Sequence, residues 1–198
     1  YCTGLLIRAL RGSQVRFLQW AFIMTKKLLL VNPLSRDSRT MGKDKGILNV
    51  SPLSLAYVAA LTPDNWNIEI LDETELEFTN QEADLIGVTS FTHNVPRAYE
   101  ILNVLKQKGI PTIIGGIHAS MLPQEALKFA DSVVIGDAHD TWPLVIKDFQ
   151  NNSLKRVYES GRPDLEGLVT PRRDFFPKRK GLSKGIETVQ TAVGCPFG

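Results

Sequence analysis

Three short apolar runs decide the fold: ADLIGVTSFTHN (residues 83–94), IPTIIGGIHAS (110–120) and ADSVVIGDAHD (130–140). Their apolar residues follow one another without alternation, which is typical of strands covered on both faces in a parallel sheet. The intervening residues 95–109 and 122–130 space their apolar side chains three and four apart, as amphipathic helices do. This alternation of strand and helix predicts a doubly wound α/β unit.

Small and polar residues follow each of these three strands. They form the loops Ser90-Phe91-Thr92, Gly115-Gly116 and Gly136-Asp137-Ala138. In open parallel sheets, ligands bind outside the carboxyl ends of the strands, where such loops meet. We therefore expect the functional site at this edge of the sheet.

Two earlier strands, KKLLLVNP (26–33) and WNIEILD (66–72), complete the predicted sheet. A helix begins at Pro52 with Ser51 as its N-cap, the last helix has Asp140 as its N-cap, and residues 154–160 form a short edge strand. Asp72 is expected to be a solvated carboxylate at a strand end. The prediction is a flavodoxin-like, Rossmann-like three-layer sandwich over residues 25–160, with a doubly wound parallel sheet of strand order 2-1-3-4-5.

Ser90-x-Thr92 after one strand and Gly115-Gly116 after the next resemble two of the three signature elements of cobalamin-binding Rossmann-like domains. The resemblance implies that these loops, with Gly136-Asp137-Ala138, bind the nucleotide tail of the corrinoid. Glycine suits such a slot because it has no side chain and lets the backbone approach a ligand. The third element, Asp-x-His-x-x-Gly after the first strand, is absent, since no histidine lies between Met24 and Thr92. The subfamily that the resemblance favours binds cobalamin without this histidine.

The end of the chain carries a second resemblance. Cys195-Pro196-Phe197-Gly198 is similar to the start of the Cys-x-x-x-Cys-x-x-Cys loop of radical S-adenosylmethionine domains. The resemblance implies that Cys195 is the first ligand of a 4Fe–4S cluster, and that iron–sulfur cluster and S-adenosylmethionine are cofactors of the full-length protein. Residues 186–198 would then begin a truncated radical S-adenosylmethionine domain, and residues 161–185, rich in proline and basic residues, would be the linker to it.

The three histidines, His93, His118 and His139, each follow a strand end. A metal site made of all three is one interpretation, since neutral imidazoles suit zinc or iron. A single histidine facing the corrinoid is another, with His118 the first candidate because it follows the double glycine. Local hydrogen bonds near the surface are the most common outcome for such residues. Trp142 is expected either to cover a cofactor edge or to pack in the interior.

Composition excludes several classes of protein. With 23 basic and 21 acidic residues, the net charge of +2 gives no reason to expect a nucleic-acid partner. Two cysteines make no disulfide framework, which favours a reducing cytoplasmic location. The basic and apolar residues 1–24 could be a membrane-surface helix or a signal peptide, but arginines interrupt every apolar run. They are expected to be a poorly ordered or non-native leader, and no transmembrane segment is expected.

No nucleophile–base pair or phosphate-binding glycine loop stands out, so the domain is expected to hold a cofactor and not to be active alone. By resemblance, the full-length protein would be an enzyme that cleaves S-adenosylmethionine reductively and methylates an unactivated carbon of a small-molecule substrate. Proteins of the class that the chain resembles also catalyse ring closures or ring rearrangements. An alternative is a flavodoxin-like electron-transfer or small-ligand binding module without catalysis. A response-regulator module is excluded because Asn32 stands where that class needs an aspartate.

Overall fold

A computed structural model describes residues 25–33, 52–73, 82–161, 167–175 and 188–190. The strands are β1 (Lys27–Asn32), β2 (Asn67–Asp72), β3 (Leu85–Thr89), β4 (Thr112–Gly115), β5 (Ser132–Ile135) and β6 (Val157–Glu159). The helices are α1 (Leu53–Leu61), α2 (Val95–Gln107), α3 (Ile117–Met121), α4 (Pro123–Ala126) and α5 (Ala138–Gln150).

The described strands form one parallel sheet in the order β2-β1-β3-β4-β5-β6. The predicted order 2-1-3-4-5 is confirmed, and β6 extends it by pairing with β5. Each connection between parallel strands runs through a crossover, as such a topology requires.

Alternate residues of the strands supply two cores, one on each face of the sheet. In β1, Leu29 and Val31 pack on one face with α2, α3 and α4, while Leu28 and Leu30 pack on the other with α1 and α5. All four side chains are almost completely buried. Burying each contributes roughly 1.5–3 kcal/mol, so the unbroken apolar run suits a strand inside the sheet, and β1 lies between β2 and β3. The three-layer sandwich is therefore confirmed.

Helix α5 begins three residues earlier than predicted. The N-cap is Asp137, not Asp140, and its carboxylate accepts a hydrogen bond of 2.7 Å from the backbone N–H of His139. The prediction was wrong because two aspartates in one short stretch compete for the capping position, and only the end of β5 decides between them. Helix α1 has Pro52 at its N-cap position without a side-chain cap, and Ser51 lies outside the described residues.

Asp72 is not the solvated carboxylate predicted at the end of β2. It is only 7% exposed, and it accepts a hydrogen bond of 3.0 Å from the side-chain amide of Asn32 at the end of β1. The two residues are paired in the sheet register, which explains why the carboxylate turns inward. In the part of the chain that the structure describes, no helix is both long and apolar enough to cross a membrane.

Candidate functional site

A cavity of about 370 Å³ lies between the carboxyl half of the sheet and helices α1 and α5. Its walls are mainly apolar, with a few polar groups, and its size falls within the range of small-molecule sites in proteins. The lining residues from the sheet and the loops that follow it are Leu30, Gly87, Val88, Thr89, Ile113, Gly115, Gly116, Val134, Gly136, Asp137 and Ala138. Those from elsewhere are Leu53, Ser54, Leu55, Tyr57, Val58, Trp142, Leu168, Val169, Pro171, Arg173, Val189 and Gln190.

Two neighbouring strands carry glycines on the face that lines this cavity. Gly115 lies on the same face of β4 as Ile113, and Gly87 lies on the same face of β3 as Leu85, because side chains alternate along a strand. A Cβ at Gly87 would stand 2.8 Å from Leu30 Cδ2. One at Gly115 would make only an ordinary contact, 3.7 Å from the Cβ of Val134.

Two further glycines adopt backbone angles that other residues avoid. Gly116 has φ 98° and ψ −179°, and Gly136 has φ 80°. A Cβ at Gly116 would stand 2.6 Å from the carbonyl oxygen of Ser90, and one at Gly136 would overlap the hydroxyl of Ser160. Both glycines therefore let a loop turn sharply against its neighbour at the rim of the cavity.

Ser90 fastens the loop after β3 to the double glycine. It is fully buried, and its hydroxyl donates to the carbonyl oxygen of Gly115 (2.9 Å) and accepts from the backbone N–H of Ala119 (3.3 Å). Its carbonyl oxygen accepts from the backbone N–H of His118 (3.2 Å). The serine thus supports the wall of the cavity from behind.

Two other serines continue this arrangement along the edge of the sheet. The Ser120 hydroxyl donates to the carbonyl of Gly116 (2.9 Å) and accepts from the N–H of Gly136 (3.0 Å). The Ser160 hydroxyl accepts from the N–H of Asp137 (2.8 Å). The loops after β3, β4, β5 and β6 are consequently tied to one another, which holds the rim in one shape.

Helices α1 and α5 are joined across the cavity by two hydrogen bonds. The indole N–H of Trp142 donates to the hydroxyl of Thr62 (2.9 Å), and Trp142 is only 3% exposed. The hydroxyl of Tyr57 lies 2.9 Å from Nδ1 of His139. Burial raises the pKa of the Tyr57 phenol, and nearby carboxylates raise it further. Trp142 therefore packs in the interior, as one of its two interpretations expected, and it also lines the cavity.

The structure divides the nine residues that the sequence proposed as ligand-binding into two groups. Five of them line the cavity: Gly115, Gly116, Gly136, Asp137 and Ala138. Ser90 is buried behind the wall, while Phe91 and Thr92 are exposed at the carboxyl edge of the sheet. His118 is buried in α3 on the opposite face of the sheet, beside Thr92. Cys195 lies outside the described residues.

His118 contacts protein groups through both ring nitrogens. Nδ1 lies 3.4 Å from the hydroxyl of Thr92, and Nε2 lies 3.4 Å from a carboxylate oxygen of Glu125. Tyr99 donates to the same oxygen of Glu125 at 3.0 Å. This hydrogen bond lowers the pKa of Glu125, and His118 acts in the same direction. These contacts connect the loop that carries Thr92, through His118 and Glu125, to Tyr99 in α2.

The three histidines do not gather at one point. The His139 ring contacts Tyr57, His118 contacts Thr92 and Glu125, and the His93 ring stacks on Phe91 with 5.7 Å between centroids. Among the described residues, no group of three or more histidine, cysteine, aspartate or glutamate side chains could hold a metal ion. The tri-histidine interpretation is therefore not supported in that part of the chain.

Sequence reasoning missed several residues of the cavity. Gly87 carried a recognisable signal, because a glycine inside an otherwise apolar strand often marks a place where a ligand or another backbone comes close. Leu168, Val169 and Arg173 carried none, since they lie far along the chain in a segment without periodicity.

The fold and the cavity define a doubly wound domain with a cavity at the carboxyl edge of its sheet, the edge where such sheets bind ligands. Residues 47–146 match the family described as B12 binding domain. This chain belongs to that family. The match spans half of the chain and includes β2 to β5 and most of α5.

The chain is similar to curated methyltransferases. It is 32% identical over 152 residues to bacteriochlorophyllide d C-8(2)-methyltransferase of Chlorobaculum tepidum, covering 73% of this chain and 34% of that protein. It is 33% identical over 180 residues to bacteriochlorophyllide d C-12(1)-methyltransferase of the same organism, covering 87% and 39%. An uncharacterized methyltransferase of Pyrococcus horikoshii is 23% identical over 205 residues, with 86% and 44% covered. The chain thus spans less than half the length of each of these relatives.

Proposed function

We propose that this chain holds cobalamin for a methyltransferase of the radical S-adenosylmethionine class, which methylates an unactivated carbon of a small-molecule substrate. The B12 binding domain family supports the cofactor, and the names of the relatives support methyl transfer. Cobalamin, when bound, supplies a transferable methyl group. The reaction itself belongs in this proposal to the longer protein, because the chain spans only part of each relative.

The glycine-walled cavity is the observation that carries the cofactor assignment. The nucleotide tail of cobalamin ends in a flat aromatic base, which suits an apolar slot between sheet and helices. Gly115 leaves room in the slot by omitting a side chain from the wall, Gly87 lets Leu30 pack close to β3, and Trp142 adds an aromatic surface. The few polar groups around the cavity can fix the orientation of the ligand.

The residues of the site take separate roles in this proposal. Gly115, Gly116, Gly136, Asp137 and Ala138 contact the tail, since they line the cavity. Phe91 and Thr92 lie at the exposed carboxyl edge, where the corrinoid ring would rest, and Ser90 and His118 hold that loop in place.

Adding hydroxocobalamin to the 198-residue chain tests the cofactor assignment. We expect binding that survives gel filtration, with an absorbance spectrum that lacks the shifts caused by histidine ligation. The reason is that the histidine of the Asp-x-His-x-x-Gly element is absent, since no histidine lies between Met24 and Thr92. Failure of the folded chain to retain any corrinoid would contradict the assignment.

Cys195 is the proposed first ligand of a 4Fe–4S cluster, because thiolates are the usual ligands of such clusters. In a full-length protein that continues the motif beyond Gly198, Cys195→Ala should abolish cluster incorporation and leave corrinoid uptake unchanged. Iron content per protein is the measurement, and Cys2→Ala is the matched control, which should keep its iron. Equal iron content in both variants would defeat the role of Cys195.

A further inference from the structure

Two short stretches outside the family match cover one side of the cavity. They are residues 167–175 and 188–190, which we call the closing segment. Leu168, Val169 and Pro171 line the cavity from the first stretch, and Val189 and Gln190 line it from the second.

The closing segment is attached to the domain by specific contacts. The backbone N–H of Arg172 donates to the carbonyl oxygen of Ala56 in α1 at 2.9 Å. Phe175 packs against the core beneath α1 and α5. The guanidinium of Arg173 donates to the carbonyl oxygen of Thr188, which joins the two stretches to each other. Residues 167–175, which lie within the predicted linker 161–185, therefore form part of the wall.

Arg173 brings a positive charge to a mainly apolar cavity. Among the described residues that line the cavity, it is the one cation, and Asp137 is the one anion. The carboxylate of Asp137 caps the N-terminus of α5, so an anion placed at that helix end would meet a like charge. A negatively charged part of a ligand is thus favoured on the side of the closing segment.

We propose that Arg173 binds the phosphate of the cobalamin nucleotide tail while the base of the tail occupies the apolar cavity. This inference rests on the proposed cofactor. The tail carries a single phosphodiester, and a guanidinium offers planar paired donors to phosphate oxygens. Val169 and Pro171 then close the cavity over the tail beside that contact.

The test compares Arg173→Gln with the wild-type 198-residue chain, using cobalamin and cobinamide as probes. Cobinamide retains the corrinoid ring and lacks both the phosphate and the base. Arg173→Gln should weaken cobalamin binding about tenfold or more and leave cobinamide binding unchanged. The wild-type Kd for cobalamin should also rise with salt more steeply than that of the variant, because an ionic contact is screened.

Arg156→Gln is the matched control, since it removes the same charge from an exposed residue that does not line the cavity. Like Arg173, Arg156 donates from its guanidinium to a backbone carbonyl oxygen, that of Leu127. It should bind cobalamin as the wild type does. Arg173→Lys should recover part of the affinity, because the charge is kept and the paired donors are lost. Unaltered cobalamin affinity in Arg173→Gln, or weaker affinity with an unaltered salt dependence, would overturn the phosphate contact. If the wild-type chain binds no cobalamin at all, the proposed cofactor fails and this inference fails with it.

Discussion

Gly116→Ala should lower the free energy of unfolding by about 3 kcal/mol, because backbone strain and steric collision both act at this position. The backbone at Gly116, with φ 98° and ψ −179°, lies in a region that is essentially restricted to glycine and costs other residues on the order of 1–3 kcal/mol. A methyl group would also press on the backbone of Ser90, with 2.6 Å to its carbonyl oxygen and 2.9 Å to its nitrogen. Backbone atoms cannot move aside as the end of a side chain can, so overpacking adds a further cost of about 1–3 kcal/mol.

Urea unfolding followed by circular dichroism measures this effect. Gly109→Ala is the matched control, because Gly109 has φ 68° and a Cβ added there would meet no atom within 4 Å. It isolates backbone strain from collision, and its cost should be about 1 kcal/mol. Equal stability of the two variants would show that the loop after β4 can relax away from Ser90. Because the substitution is expected to destabilise the fold, it cannot report on ligand binding alone.

Gly115→Val should reduce cobalamin affinity at least tenfold, about 1.4 kcal/mol, while leaving stability within about 1 kcal/mol of the wild type. Valine suits a strand, and a Cβ at this site makes only an ordinary contact of 3.7 Å with Val134. The side chain would share the face of β4 that carries Ile113, and both residues line the cavity. The added atoms therefore occupy space that the ligand needs.

Parallel measurements of thermal unfolding and cobalamin binding on this variant separate folding from binding. Gly161→Val is the control, since it adds the same side chain at an exposed residue with open space around it. Its affinity should match that of the wild type. A Gly115→Val chain that folds and binds cobalamin as tightly as the wild type would place the tail outside this cavity.

The sequence determined the architecture because its signals are local. Unbroken apolar runs such as residues 28–31 define buried strands, and three-and-four spacing defines the helices between them. Parallel strands joined by crossovers bring their carboxyl ends to one edge, so the loops at Gly115 and Gly136 could be placed together from the sequence pattern alone. The order of the first five strands is not a local signal, and it was predicted from the flavodoxin-like fold class.

Only the tertiary structure decided which residues build the cavity. Tyr57 contacts His139 and Thr62 contacts Trp142, across 82 and 80 residues of chain respectively, and such pairs leave no periodic signal in the sequence. The same holds for Arg173, which reaches the cavity from beyond the family match. Local patterns report how a segment buries its own surface. A cavity arises where several distant segments leave space unfilled, and that depends on how all of them pack together.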